Sequence, residues 1–156
     1  MSAKALVANW KMHLVDNIKE SFIDPVMNSF PFDKAQAVIC APYISVPLMN
    51  QYVDQSKIQL GVQNISQHDK GAYTGEVSAQ MAVSVGAKYT IVGHSERRAY
   101  FFEDDDLVYH KSLKAQGLGL TPIICIGENL DQREAGLVED VITKQLALVL
   151  AGLNSG

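Results

Sequence analysis

The sequence predicts an α/β fold on a parallel sheet, which we interpret as a partial (β/α)8 barrel made of its first five units. Apolar runs without polar alternation recur five times, each followed by a helix-like segment, and strands buried on both faces of a parallel sheet show this pattern. A doubly wound dinucleotide binder needs a glycine-rich turn after its first strand, yet the first glycine here is Gly61. Polar residues also follow the strands at their carboxyl ends, where a barrel carries its active site.

The strands are predicted from apolar runs that are bounded by turn-forming or polar residues. They are ALVAN at 5–9, AVICAP at 37–42, IQLGVQN at 58–64, YTIVG at 89–93 and LTPIICIG at 120–127.

Helices are predicted between the strands. Ile18, Phe22 and Val26 share one helical face, and Pro25 is expected to kink or shorten that helix. Pro47 suits the first turn of a second helix over roughly 44–54. Later helices are expected from Ser78 to Val85, from the acidic run 104–106 to Gly117, and over about 130–151 with an apolar stripe of Val138, Val141, Ile142, Leu146 and Val149.

Composition limits the function classes. The 156 residues fit one incomplete barrel domain, 1–156, and the net charge of −4 argues against a nucleic-acid partner. Cys40 and Cys125 lack zinc-site spacing, so we expect no metal and two buried free thiols in a reducing compartment. No run reaches membrane-spanning length, and the N-terminal apolar run is too short for a signal peptide. We expect a cytoplasmic protein without a membrane partner.

The segment IVGHSERRAYF at 91–101 holds the strongest candidate residue, His94. His94 follows a strand and Gly93 and precedes a short helix that is expected to begin near Ser95. The positive end of a helix disfavours an imidazolium, so a neutral ring could donate a hydrogen bond to a carbonyl or relay a proton. A structural histidine whose ring nitrogens are hydrogen-bonded within the fold would explain the same pattern.

Lys11 and Asn9 follow the first strand and are expected at the rim of the sheet, where they could bind a substrate oxygen. A solvated lysine at the start of a loop is the alternative. Glu96 could pair with Lys11 across adjacent rim positions or belong to a solvated charge run with the two arginines after it, which we expect to form structural ion pairs. The long segment 63–78, with Tyr73 at its tip, is expected to be ordered by a partner surface.

Together these motifs closely resemble the triosephosphate isomerase family. ANWKMH is similar to its first-strand signature, GAYTGEVS to its protruding third loop, VGHSERR to its histidine loop and TPIICIGE to its fifth strand, in the family's order over residues 5–128. The resemblance implies a TIM barrel and an enzyme of glycolysis and gluconeogenesis without a cofactor. It would interconvert dihydroxyacetone phosphate and glyceraldehyde 3-phosphate through an enediolate. The family is itself the standard example of a neutral histidine beside a helix N-terminus.

The resemblance also implies a role for each matched residue. His94 would polarise the substrate carbonyl, Lys11 would be the cation facing the phosphorylated triose beside Asn9, and Glu96 would be the nearby acid. Ser95 would support the histidine loop, and Cys125 would be a buried residue behind the site. The remaining matches, Tyr73, Thr74, Gly75 and Glu76, would belong to a loop that docks into a neighbouring subunit of a homo- or hetero-oligomer.

The resemblance covers only five of eight units, and the family's catalytic glutamate base, its lid and its later phosphate loops have no match here. Glu128 ends the fifth strand, not the sixth. We therefore expect a split enzyme that is inactive alone and completed by a complementary C-terminal chain, with the break in the loop-like GLNSG at 152–156. A non-catalytic scaffold fragment is the alternative. A Schiff-base aldolase is disfavoured because Lys88 lies at a strand start and Lys11 lies outside a strand.

Overall fold

A computed structural model describes residues 4–13 and 16–152. Its centre is one parallel sheet of five strands in the order β1-β2-β3-β4-β5, in which each strand pairs with the next one along the chain. The curled half-barrel confirms the predicted fold class. The strands are Lys4–Asn9 (β1), Ala35–Ala41 (β2), Ile58–Val62 (β3), Tyr89–Val92 (β4) and Thr121–Ile124 (β5).

Helical segments connect the strands. The first connection is a π-helical turn, Lys19–Ile23, which continues into a short α-helix with Pro25 in its first turn. The α-helices are Asp24–Ser29 (α1), Val46–Met49 (α2), Ala79–Ser84 (α3), Ser95–Tyr100 (α4), Asp105–Gly117 (α5), Leu130–Glu134 (α6) and Val138–Gly152 (α7).

Several predicted boundaries are wrong. The helix expected over 130–151 is two helices, because Gly136 adopts a positive φ of 72° and ends α6. The helix expected over 44–54 is only one turn, although Pro47 does lie at its start. The third and fifth strands end earlier than predicted, at Val62 and Ile124. The stripe on the last helix is only partly buried, since Val149 is covered but Leu146 is exposed. Residues 153–156 of the predicted terminal loop lie outside the described residues.

Strand β2 shows how the sheet separates two apolar layers. Ala37, Ile39 and Ala41 point into the larger cluster, which the helices cover, whereas Val38 and Cys40 point into a second cluster with Ile91. Alternate residues of β2 are thus buried on opposite faces of the sheet, as expected of a barrel wall. Gly61 of β3 allows this close packing, because a Cβ there would lie 2.8 Å from the Cys40 sulfur.

Strands β1 and β5 form the two edges of the sheet as described. Leu6 of β1 is 60% exposed, whereas most residues of β2 and β3 are buried. No helix formed by the described residues is long and apolar enough to cross a lipid bilayer.

Candidate active site

The candidate site lies at the carboxyl ends of the four neighbouring strands β1 to β4. All strands are parallel, so the residues that follow them project from the same edge of the sheet. A cavity of about 350 Å³ opens there, between the loops that leave these strands. Its lining includes Asn9, Lys11, Gln63, His94, Glu96 and Arg97.

Lys11 has an unusual backbone conformation that its neighbours hold in place. Its φ is +56°, a left-handed value that costs a lysine free energy. The Lys11 N–H donates to Asn9 Oδ1 at 3.0 Å, and its carbonyl accepts from Gln63 Nε2 at 3.0 Å. Gln63 Nε2 also donates to the Cys40 carbonyl at 3.1 Å, so one amide ties the Lys11 turn to β2. The strained turn is therefore fixed by β1, β2 and the end of β3 together.

The ion pair predicted between Lys11 and Glu96 is present. Lys11 Nζ lies 2.6 Å from Glu96 Oε1, with the two side chains 50% and 44% exposed. The hydrogen bond from Lys11 lowers the pKa of the Glu96 carboxyl below its usual value. A solvated pair of this kind stabilises the fold little, but it fixes the ammonium group over the cavity.

His94 is the N-cap of α4, and its ring accepts a hydrogen bond at Nδ1. The Glu96 N–H donates to this nitrogen at 3.2 Å. Glu96 Oε2 lies 3.4 Å from the same nitrogen, but the backbone N–H already occupies the Nδ1 lone pair. A ring that accepts a hydrogen bond at Nδ1 leaves Nε2 as its hydrogen-bond donor.

Gly93 provides the turn that brings His94 to the end of β4. It has a positive φ of 69°, and a Cβ at this position would lie 2.7 Å from a methyl group of Val108. The strand can leave the sheet this abruptly only with glycine at this position. Ser95 begins α4 beside His94 and is exposed.

The two arginines after Glu96 form structural ion pairs, as predicted. Arg97 hydrogen-bonds the buried Glu103 and lies 4.5 Å from the centre of the Phe101 ring. Arg98 donates to the Gly93 carbonyl at 2.8 Å and to Asp105 Oδ1 at 2.7 Å. Arg98 thus braces the turn that carries His94 against the start of α5.

The segment 63–78 is a loop that its own contacts close. Its ends meet through a hydrogen bond from the Ser66 N–H to the Val77 carbonyl at 2.8 Å, and His68 stacks on Tyr73 with ring centres 3.8 Å apart. Thr74, Gly75 and Glu76 are exposed at the tip. The interface role of this loop stays a prediction.

The remaining candidates do not join the cavity lining. Cys40 is buried, and burial raises the pKa of its thiol to about 12. Cys125, which we predicted to be buried, is only half-buried, and burial also raises the pKa of its thiol. The pKa of Glu128 is lowered by its own backbone N–H and by Arg133, which makes it a weak proton acceptor near neutral pH. In the described ranges, His, Cys, Asp and Glu form no group of three that fits a metal ion.

Sequence comparison decides the family. The family model for triosephosphate isomerase matches residues 4–156. The chain belongs to the triosephosphate isomerase family. Curated relatives of that description include proteins from Xylella fastidiosa strain M12, 46% identical over 97% of this chain, and Thiobacillus denitrificans, 42% identical over 97%. Another, from Thermoanaerobacter pseudethanolicus, is 37% identical over 99% of the chain.

The triosephosphate isomerase relatives are longer than this chain. The chain spans 61% of the Xylella protein and 60% of the Thiobacillus protein. The matched part contains the five strands described above.

Two features of this candidate site are not predicted by the sequence patterns. The patterns place Gln63 only near the end of the predicted third strand, but its amide holds the Lys11 turn across 52 residues of sequence. The left-handed conformation of Lys11 was also not foreseen. Neither has a local signal, because each depends on a contact between distant strands.

Proposed function

We propose that this chain supplies the electrophilic and cationic part of an active site that interconverts dihydroxyacetone phosphate and glyceraldehyde 3-phosphate. The observation that carries the proposal is the convergence of Lys11, His94 and Glu96 on one cavity. Membership of the triosephosphate isomerase family supports it.

Each of these groups has a chemical task in such a reaction. The Nε2–H of His94 donates to the substrate carbonyl oxygen and stabilises the charge that develops on it as the enediolate forms. The Lys11 ammonium attracts the anionic substrate, and the Asn9 amide lies beside it. Glu96 keeps the ammonium in position through its hydrogen bond.

The proton on the substrate carbon needs a separate base. Of the two glutamates nearest the rim, Glu96 is held by Lys11, and Glu128 is held by Arg133. Both hydrogen bonds lower the pKa of the carboxyl, which opposes proton abstraction. We therefore propose that the base comes from outside these five units, on a complementary C-terminal polypeptide of about 100 residues.

The proposed enzyme works in the cytoplasm without a cofactor. The loop 63–78 docks into a neighbouring subunit with Tyr73, Thr74, Gly75 and Glu76 at the contact. Their exposure supports this arrangement.

The test is to titrate this chain with a polypeptide comprising the last three β/α units of a curated relative and to assay isomerisation. Activity should appear and saturate at one complement per chain, and it should fall by about 10²–10⁴-fold when this chain carries His94→Gln. His110→Gln, on the exposed side of α5, is the matched control and should leave the rate unchanged.

Two results would count against the proposal. If the assembled pair forms but does not turn over, this chain is a scaffold fragment. If the His94 variant is as active as the parent, the carbonyl is polarised by another group.

A further inference from the structure

We infer that Gln145 is a positioning residue that sets the place of His94 through the loop after β5. Gln145 lies on α7 and is 7% exposed, and few glutamines are buried this deeply unless both ends of the amide are satisfied. It meets none of the cavity-lining side chains in a hydrogen bond. The inference rests on the proposed function only for the importance of where His94 lies.

Both polar atoms of the Gln145 amide bind one residue. Gly127 donates its N–H to Gln145 Oε1 at 2.8 Å, and the Gly127 carbonyl accepts from Gln145 Nε2 at 3.3 Å. The amide therefore replaces the two backbone partners that Gly127 would have if β5 continued. Gly127 has a φ of +154°, a value that favours glycine, so the clamp holds a backbone that would otherwise be free to move.

The clamped loop is bonded in turn to the end of β4. Cys125, two residues before Gly127, donates its N–H to the Val92 carbonyl at 2.9 Å. The Cys125 carbonyl lies 3.5 Å from Arg98 Nη2, and Arg98 Nε binds the Gly93 carbonyl at 2.8 Å. Val92 and Gly93 are the two residues before His94. Hydrogen bonds thus run from α7 through the β5 loop to the backbone on which His94 is mounted.

This link explains why a polar side chain is buried on a helix whose other buried residue is apolar. Val149, one turn further along α7, belongs to an apolar cluster with Val92 and Val108. An apolar residue at 145 would fit that layer but would leave the N–H and the carbonyl of Gly127 without their partners, at a cost. Gln145 therefore holds the backbone that follows β5 in one position, and through it the backbone that follows β4.

The test compares Gln145→Met with Lys144→Met in the full 156-residue chain by NMR. Lys144 is the adjacent, exposed residue of the same helix, so its variant controls for helix and composition effects. In Gln145→Met, amide exchange at Gly127 should accelerate about tenfold, the effect of losing one hydrogen bond. The ¹⁵N shifts of the His94 ring should also move, while Lys144→Met leaves both unchanged.

A conservative variant separates positioning from general loosening. Gln145→Glu keeps an acceptor for the Gly127 N–H but loses the donor, so the His94 shifts should move in the same direction by a smaller amount. If Gln145→Met does not fold, the decision rests on this variant, and His94 shifts identical to those of the parent would overturn the inference.

Other outcomes also overturn it. Faster exchange at Gly127 with an unmoved His94 ring would limit Gln145 to supporting its own loop. Equal changes in Gln145→Met and Lys144→Met would mean that α7 had loosened as a whole. Because the readout does not need turnover, a failure of the proposed isomerase activity would leave this result interpretable.

Discussion

Two clusters of charged side chains meet at helix α4. Glu96 belongs to the outer cluster, and Arg97, the next residue in the sequence, belongs to the inner one. On one side, Lys11, His94 and Glu96 face the cavity, and the Glu96 side chain is 44% exposed. On the other, Arg97 reaches inward to Glu103, which is 1% exposed and also binds Lys111. Lys111 continues to Asn64 Oδ1 at 2.7 Å. The short helix α4 therefore joins a solvated cluster to a buried pair, Glu103 and Lys111, through the partly exposed Arg97.

The difference shows that charge alone does not identify a functional site. In the inner cluster, burial disfavours the charged form of Lys111 and lowers its pKa, and the hydrogen bond to Glu103 opposes this effect. The two buried charges therefore stabilise one another. The outer cluster contributes little stability and includes the strained Lys11 backbone. Strain combined with access to a cavity indicates chemistry, whereas burial with mutual pairing indicates structure. Variants on each side can separate these roles.

The largest effect is expected in the inner cluster. Glu103→Leu leaves Lys111 as a buried charge without its carboxylate and removes the partner of the partly buried Arg97, and we expect the free energy of unfolding to fall by about 3–5 kcal/mol. Urea unfolding measures this, with Glu139→Leu on the exposed start of α7 as control. A loss no larger than that of the control would mean that the inner cluster does not support the fold.

In the outer cluster, a substitution should lower the activity strongly and the free energy of unfolding only slightly. Glu96→Gln weakens the bond that holds Lys11 Nζ, and displacement of such a group lowers the rate by about a hundredfold. The comparison is made in the proposed assembly with the C-terminal complement, against Glu20→Gln at an exposed glutamate near the first helix. The urea midpoint should fall only slightly below the parent value, as expected for an exposed ion pair, and a fall as large as that of Glu103→Leu would contradict the distinction between the clusters.

The turn between the clusters should be sensitive to one added methyl group. Gly93→Ala forces an alanine into a positive φ and against Val108, so we expect a loss of about 1–3 kcal/mol in unfolding free energy. Gly117→Ala is the matched control, because a Cβ there meets nothing within 4 Å and its φ is not positive. Equal stability of the two variants would show that the turn is not constrained as described.

The smallest effect is a pH dependence at Glu96. Its pKa in the folded state lies below the usual value of 4.5, mainly because of the hydrogen bond from Lys11. The contribution of this ion pair to the free energy of unfolding is therefore fully present above the usual pKa of 4.5, and it is lost as the pH falls through the lower folded-state pKa. The free energies of unfolding of the parent and of Glu96→Gln should differ most near neutral pH, by a small amount, and converge in acid. A difference that grows in acid would contradict the assigned pair.

The apolar runs predicted the order and parallel arrangement of the strands, but they did not predict where each strand ends. Gln63 was placed within β3, yet its side chain turns to bind the carbonyls of Lys11 and Cys40. The break at Gly136 was missed because helical periodicity continues across it, and only the backbone conformation reveals the end of α6.

Within the candidate site, the sequence was most informative where residue type and position agreed. His94 after a strand predicted a histidine at the N-terminus of a short helix beginning near Ser95, and in the structure His94 is the N-cap of that helix. The inner cluster was only half-predicted, because the arginines were assigned to ion pairs but Glu103 and Lys111, eight residues apart, were not identified as partners. Burial depends on how α5 packs on the sheet, which local patterns do not encode.

The most direct test is a steady-state isomerisation assay of the isolated 156-residue chain with glyceraldehyde 3-phosphate as substrate. Because no base is assigned within the five units, we expect no turnover above the rate in buffer. Turnover that disappears in His94→Gln would contradict this, since the base would then lie within residues 1–156.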